Sequence, residues 1–131
     1  MILLDTSTLI WWTTALEKLS KKARDVIEKE IKEGVFFVSS ISIWEIYLLV
    51  KKEKVRFSVD IDTWLEKVGS SPYINFIPVD NKIAAKSVML PDFSNKDPAD
   101  RMIVATALIN GATLVTSDKR ILNYPHVQSV W

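Results

Sequence analysis

Short, wholly apolar runs alternate with longer segments of helical period along this chain, and that alternation limits its fold more than any other feature. Residues 2–4 (ILL), 35–38 (VFFV), 75–79 and 113–116 (TLVT) are brief and rich in β-branched or aromatic side chains, as strands are. A last strand is expected at 127–130. Between them lie helical patterns at 8–19, 21–33, 43–52, 61–68, 81–90 and 98–110, with a short helical turn at 118–122. In the second, Ala23, Ile27 and Ile31 form one stripe. Ser20, Asp60 and Asp80 stand where N-caps belong, and Gly34 and Gly111 where helices end. Gly69-Ser70-Ser71-Pro72 breaks the fourth helix, and residues 53–59 and 91–96 read as connections.

Strands separated by helices imply an α/β fold with a mostly parallel sheet, because parallel neighbours need crossovers. Continuous apolar strands imply that both sheet faces are covered. A three-layer α/β/α sandwich of four or five strands is therefore expected, built as one domain over residues 1–131. No repeat or linker interrupts it. With no cysteine, disulfides, thiolate metal sites and cysteine nucleophiles are excluded. A lone histidine, His126, cannot form a zinc site of the usual nitrogen and sulfur type, nor a histidine dyad. No apolar run approaches the ~20 residues of a membrane span, and MILLDTSTLI lacks a basic n-region and cleavage site. A cytoplasmic protein without membrane contact is the expectation. The net charge of +1 gives no global basic field.

Four acids sit where apolar runs give way to helices. Asp5 follows ILL, Glu45 lies in ISIWEIYLL, Asp100 in KDPADRMIVATAL, and Asp118 ends TLVTSD. Each also has a structural reading. Asp5 and Asp118 fit N-caps, and Glu45 follows Ser42 at capping-box spacing. Asp97 caps a helix that has Pro98 at its first position, which places Asp100 at N3. Capping and ligation are compatible. In a parallel sheet the strand C-termini share one edge, where ligand crevices form at the topological switch point. Four carboxylates gathered there would repel one another, and a hard divalent cation would relieve that repulsion.

These segments together resemble the PIN-domain ribonucleases, and within them the VapC-like toxins of toxin–antitoxin pairs. The similarity runs through ILLDTSTLIW, SSISIWEI, DPADRMIVATAL and LVTSDKRI, in the expected order over essentially the whole chain. It implies metal-dependent endonucleolytic cleavage of RNA with Mg2+ or Mn2+ as cofactor. Asp5 and Asp100 would be central metal ligands, Glu45 a direct or water-mediated one, and Asp118 would complete the set. Thr6, Thr116 and Ser117 would support these carboxylates. Hydrolysis by metal-activated water, with a 3′ oxygen leaving, would give 5′-phosphate and 3′-hydroxyl ends. The resemblance also implies a homodimer and a VapB-like antitoxin that occupies a groove near the acids.

Lys96, Arg101 and Lys119 flank the motifs and are candidate contacts to the RNA backbone, although an internal ion pair serves Arg101 equally well. Lys51, Lys52 and Lys54 form a basic run that also suits a solvated helix end. Trp11, Trp12, Trp44, Tyr47 and Trp64 are many large rings for a small domain. Adjacent Trp11 and Trp12 are expected to divide between core and an exposed or partner-covered face. A protein interface suits such rings better than an RNA-stacking platform. Two other readings stay open: a PIN-fold RNA-processing or DNA nuclease that is not a toxin, and, remotely, a receiver-type phospho-acceptor domain.

Overall fold

Every strand of the sheet runs parallel to its neighbours, in the order β3-β2-β1-β4-β5. The computed structural model of the chain describes residues 1–131. The strands are β1 (Ile2–Leu4), β2 (Phe36–Ser39), β3 (Ile74–Ile77), β4 (Thr113–Val115) and β5 (Ser129–Val130). The helices are α1 (Thr6–Thr14), α2 (Lys21–Glu33), α3 (Ser40–Lys51), α4 (Ile61–Gly69), α5 (Asn81–Val88), α6 (Pro98–Asn110) and α7 (Lys119–Leu122). After β1 the chain adds β2 and β3 on one side, then crosses to place β4 and β5 on the other. The switch point therefore lies between β1 and β4, which pair at Ile2–Thr113, Leu3–Leu114 and Leu4–Val115.

The two-residue period of the strands divides the interior into two cores. Ile2, Leu4, Phe36, Val38 and Val115 face one side and pack with Leu9, Ile27, Ile46 and Trp64 from α1–α4. Leu3 and Leu114 face the other and pack with Ile103, Val104 and Ala107 of α6 and Ile121 of α7. Burying each such aliphatic side chain contributes about 1.5–3 kcal/mol. The three residues of β1 thus feed both cores, which is why ILL is apolar without alternation. α5 packs along α6.

The caps follow the side chains read from sequence. Ser20, Asp60, Asp80, Asp97 and Asp118 each accept a backbone N–H of the helix they precede. Gly111 ends α6 in the left-handed region, at φ 64°. Two helices differ from expectation. The first stops at Thr14, and Leu16–Lys18 is a separate 3-10 turn. The Thr13 and Thr14 hydroxyls bond back to the carbonyls of Leu9 and Ile10, which competes with helix continuation. α3 begins three residues early, because Ser39 rather than Ser42 is its cap. The Ser42–Glu45 capping box is therefore absent, and Glu45 lies in the second turn of α3.

The tryptophans also differ from expectation. Trp11 and Trp12 are both half-buried against the first core, Trp12 edge-on to Phe36 at 5.0 Å and Trp11 against Trp131 at 5.7 Å. They can share one helix because the core wraps over its flank with Trp131. Trp64 is buried and donates its indole N–H to the Thr13 hydroxyl. The Tyr47 hydroxyl donates to Asp62 at 2.6 Å, tying α3 to α4, and that bond pushes its pKa up to about 12.

Candidate metal centre and active site

The acidic residues converge at the C-terminal edge of β1 and β4. Asp5 leaves β1 and caps α1, its Oδ1 accepting from the Thr8 N–H at 2.9 Å. Its Oδ2 accepts from the Thr116 hydroxyl just beyond β4. The Thr116 hydroxyl also accepts from the Asp118 N–H at 3.0 Å, so one side chain aligns both strand ends. Asp5 is buried, and burial pushes its carboxyl above the ordinary range despite the donors from Thr116 and Thr8. The neighbouring charge of Asp118 acts in the same direction as burial.

Glu45 reaches the same edge from α3, and Asp97 and Asp100 from the first turn of α6. These three each offer a carboxylate oxygen within 4.8 Å of the other two. The Asp97 Oδ1 caps α6 through the Asp100 N–H at 3.1 Å, so Asp97 is both a cap and a member of the cluster. Sequence reasoning assigned it only the cap. Burial pushes the Glu45 carboxyl up; the Thr6 hydroxyl opposes that shift, while Asp100, Asp97 and Asp5 reinforce it. Asp100 is raised mainly by burial, lowered by its bond from Asn95, and raised again by Asp97 and Asp118.

Asp118 stands apart. Arg120 holds its carboxyl below the ordinary range through bonds of 2.8 and 3.2 Å. The same guanidinium reaches the Asp100 Oδ2 at 3.4 Å and so bridges the two acids. Each of the four sequence-selected acids thus lies within charge range of at least two of the others.

The supporting residues fall into three groups. Thr116 bonds Asp5 directly. Thr6 donates to the buried Ser42 hydroxyl at 3.0 Å, which joins α1 to α3 beside Glu45. Ser117 is half-buried and forms no bond to the carboxylates. Lys96 and Lys119 are exposed at the rim. Arg101 faces inward, donating to the carbonyls of Ser87, Val88, Phe93 and Asn95, so it clamps the loop before α6 instead of facing RNA or a carboxylate. Asn95 and Arg120 are not singled out by the sequence, and Ser42 is singled out only as a capping-box partner of Glu45. Arg120 had a local signal, two residues after Asp118 in a helical turn, whereas Ser42 meets Thr6 only through tertiary contact.

The donor set suits a small hard dication. It is all carboxylate oxygen, it is partly withdrawn from water, and neighbouring negative charges add to burial in pushing Glu45 and Asp100 up, a strain that a bound cation relieves. His126 is exposed, edge-on to Tyr124, and outside the cluster.

A parallel α/β/α sandwich with clustered carboxylates at its switch point defines a recognisable class. The PIN domain model matches residues 2–127, and the chain belongs to the PIN domain family. Ribonuclease VapC22 of Mycobacterium tuberculosis is 31% identical over 129 residues, which cover 98% of this chain and 95% of that protein. Among solved structures, a toxin–antitoxin complex from Klebsiella pneumoniae aligns with TM-score 0.69 at 23% identity, covering 100% of this chain and 97% of that one. VapBC2 from Rickettsia felis, bound to a DNA fragment from its promoter, aligns with TM-score 0.71 at 20% identity, covering 99% and 98%. At those identities the two structures speak for the fold.

Proposed function

We propose that the chain is a VapC-type endoribonuclease toxin that hydrolyses RNA with Mg2+ or Mn2+ and acts as one domain in the cytoplasm. The observation that carries this reading is the meeting of Glu45, Asp97 and Asp100 beside buried Asp5 at the switch point. Similarity to Ribonuclease VapC22 supports RNA as the substrate, and similarity to toxin–antitoxin complexes supports a VapB-like antitoxin as partner. Dimerisation is part of the same reading. No helix is long and apolar enough to cross a membrane.

Asp5, Glu45 and Asp100 would hold the ion, with Asp97 adding an oxygen and Asp118 completing the acidic set. When bound, the ion supplies charge neutralisation at the phosphodiester and a lowered pKa for the attacking water. The chain's own residues orient that chemistry. Thr116 and the Thr8 N–H fix the plane of the Asp5 carboxylate, and Asn95 fixes that of Asp100. Arg120 places a planar donor at the rim, suited to phosphate oxygens. No imidazole is available there to act on a 2′-hydroxyl, so water is the expected nucleophile, leaving 5′-phosphate and 3′-hydroxyl ends.

The test is incubation of purified protein with RNA, with Mg2+ or Mn2+ and with chelator, alongside Asp100→Asn. Metal-dependent cuts bearing 5′-phosphate ends, lost in the variant, are expected. Absence of both cleavage and calorimetric metal binding would return the carboxylates to a purely structural role.

A further inference from the structure

Of the five tryptophans, only Trp44 is exposed, at 56%, and no other aromatic ring packs on it. It immediately precedes Glu45 on α3. Together with Leu48, Leu49 and Pro98 it walls a groove of about 200 Å³ between α3 and the start of α6, and Glu45 and Asp97 form the groove's acidic end. Lys52 and Lys54 line the same groove. Neither forms an ion pair with any carboxylate of the chain.

The placement of the two lysines depends on an unfavourable backbone conformation. Glu53, between them, adopts φ 58°, a region that non-glycine residues rarely enter. It closes α3 in a Schellman turn, with the Lys54 N–H bonded to the Leu49 carbonyl at 2.9 Å and the Glu53 N–H to Val50. The chain reverses there and returns Lys54 to the groove that Lys52 already lines. Backbone strain of this kind concentrates at functional sites.

From these features we propose that the Trp44 groove is a nucleobase subsite, in which one unpaired base of single-stranded RNA stacks on the Trp44 indole while Lys52 and Lys54 hold adjoining phosphates. The inference rests on the ribonuclease reading for its substrate and extends it to how the strand is held. The size of the groove fits one ring system, since it is smaller than the about 300–1,000 Å³ sites of drug-sized ligands. Its charge suits a polyanion: two ammonium groups that pair with no carboxylate of the chain line it, while Glu45 and Asp97 would repel a phosphate unless a cation intervenes. An exposed indole provides the π-face that unstacked bases use regardless of sequence. A base seated here would lie beside the Glu45–Asp97–Asp100 cluster and so fix which phosphodiester reaches it.

The probe is a short unstructured RNA of mixed sequence, labelled with fluorescein and followed by anisotropy in an Asp100→Asn background, so that binding is read without cleavage. Trp44→Ala is expected to weaken binding about 5- to 100-fold, and Trp44→Phe far less. Replacing one nucleotide at a time by an abasic residue should weaken wild-type binding at one position, and that loss should vanish in Trp44→Ala. Lys52→Gln should make the dependence of log affinity on log salt shallower by about 0.7. Equal RNA affinity in wild type and Trp44→Ala would overturn the subsite. So would a Trp44→Ala variant that keeps RNA affinity but changes self-association, because the groove would then belong to a protein partner. The two readings fail separately. If the Trp44 protein with Asp100 restored does not cut RNA but the stacking signature persists, the nuclease reading falls and the subsite stands.

Discussion

The Thr116 hydroxyl donates to the Oδ2 of Asp5 at 2.5 Å, across 111 residues of sequence. The bond ties the ends of β1 and β4 together at the switch point and sets the orientation of the one buried acid of the centre. Thr116→Val should leave that oxygen without its donor and lower stability by about 1–3 kcal/mol. Metal affinity should fall roughly 10- to 100-fold, as when other outer partners of a ligand are removed. Thr116→Ser should restore most of both. Thermal melts and calorimetric titration with Mn2+ read the two effects, and a valine variant that matches wild type in both would show the bond to be incidental.

Asp5→Asn and Asp100→Asn should each reduce metal-dependent cleavage to background while leaving the fold intact. The metal-free Asp100→Asn variant should melt at or above the wild-type temperature, because Glu45, Asp97 and Asp100 repel one another. Full activity in either variant would remove that residue from the site.

Arg120 bridges Asp118 and Asp100, so it competes with a cation for Asp100 while offering a donor to phosphate. Arg120→Gln should tighten Mn2+ binding by a few-fold, roughly what one screened charge at this distance supplies. The same change should raise the KM for RNA. Weaker Mn2+ binding or an unchanged KM for RNA would contradict the bridge.

How much of this was legible in the sequence follows from where each signal resides. The strand–helix alternation and the caps are local, so Ser20, Asp60, Asp80 and Gly111 read correctly. The start of α3 did not, because Ser39, Ser40 and Ser42 are equivalent as cap candidates until the burial of Ser42 against Thr6 separates them. The family motifs brought Asp5, Glu45, Asp100 and Asp118 into view together. Asp97 reads as a cap because its Oδ1 does cap; that its carboxylate also lies within reach of Glu45 depends on how α3 packs on α6. Arg101 sits beside an acidic motif in sequence, but its helical position turns it toward the α5–α6 loop and four carbonyls.

Glu53 holds φ 58° without the benefit of a glycine. Glu53→Gly should therefore stabilise the protein by about 0.5–1 kcal/mol, with relief of the left-handed strain exceeding the added freedom of the unfolded chain. Denaturant melts at constant slope would read the gain. A loss of stability would indicate that the glutamate side chain makes a compensating contact.

The pH dependence of stability should change sign with metal. Asp5, Glu45 and Asp100 are raised from ordinary values of 3.8, 4.5 and 3.8, whereas Asp118 is lowered from 3.8. A raised carboxyl binds its proton more tightly folded than unfolded. Stability from these three groups is therefore present at low pH and is lost as pH rises from about 4 through their folded values. Asp118 works oppositely, contributing stability above its ordinary value that disappears as pH falls through its lowered one. Asp118 is ionised folded and unfolded alike well above pH 4 and drops out there, so the chelated protein should melt at a lower temperature at pH 7.5 than near pH 4.5. Saturating Mg2+ or Mn2+ binds the deprotonated carboxylates, so it should raise the melting temperature more at pH 7.5 than near pH 4.5. Asp100→Asn removes one raised group and should flatten the chelated profile. Melts that rise with pH in chelator, and a metal-induced gain equal at both pH values, would show that the acids do not share one charge-strained site.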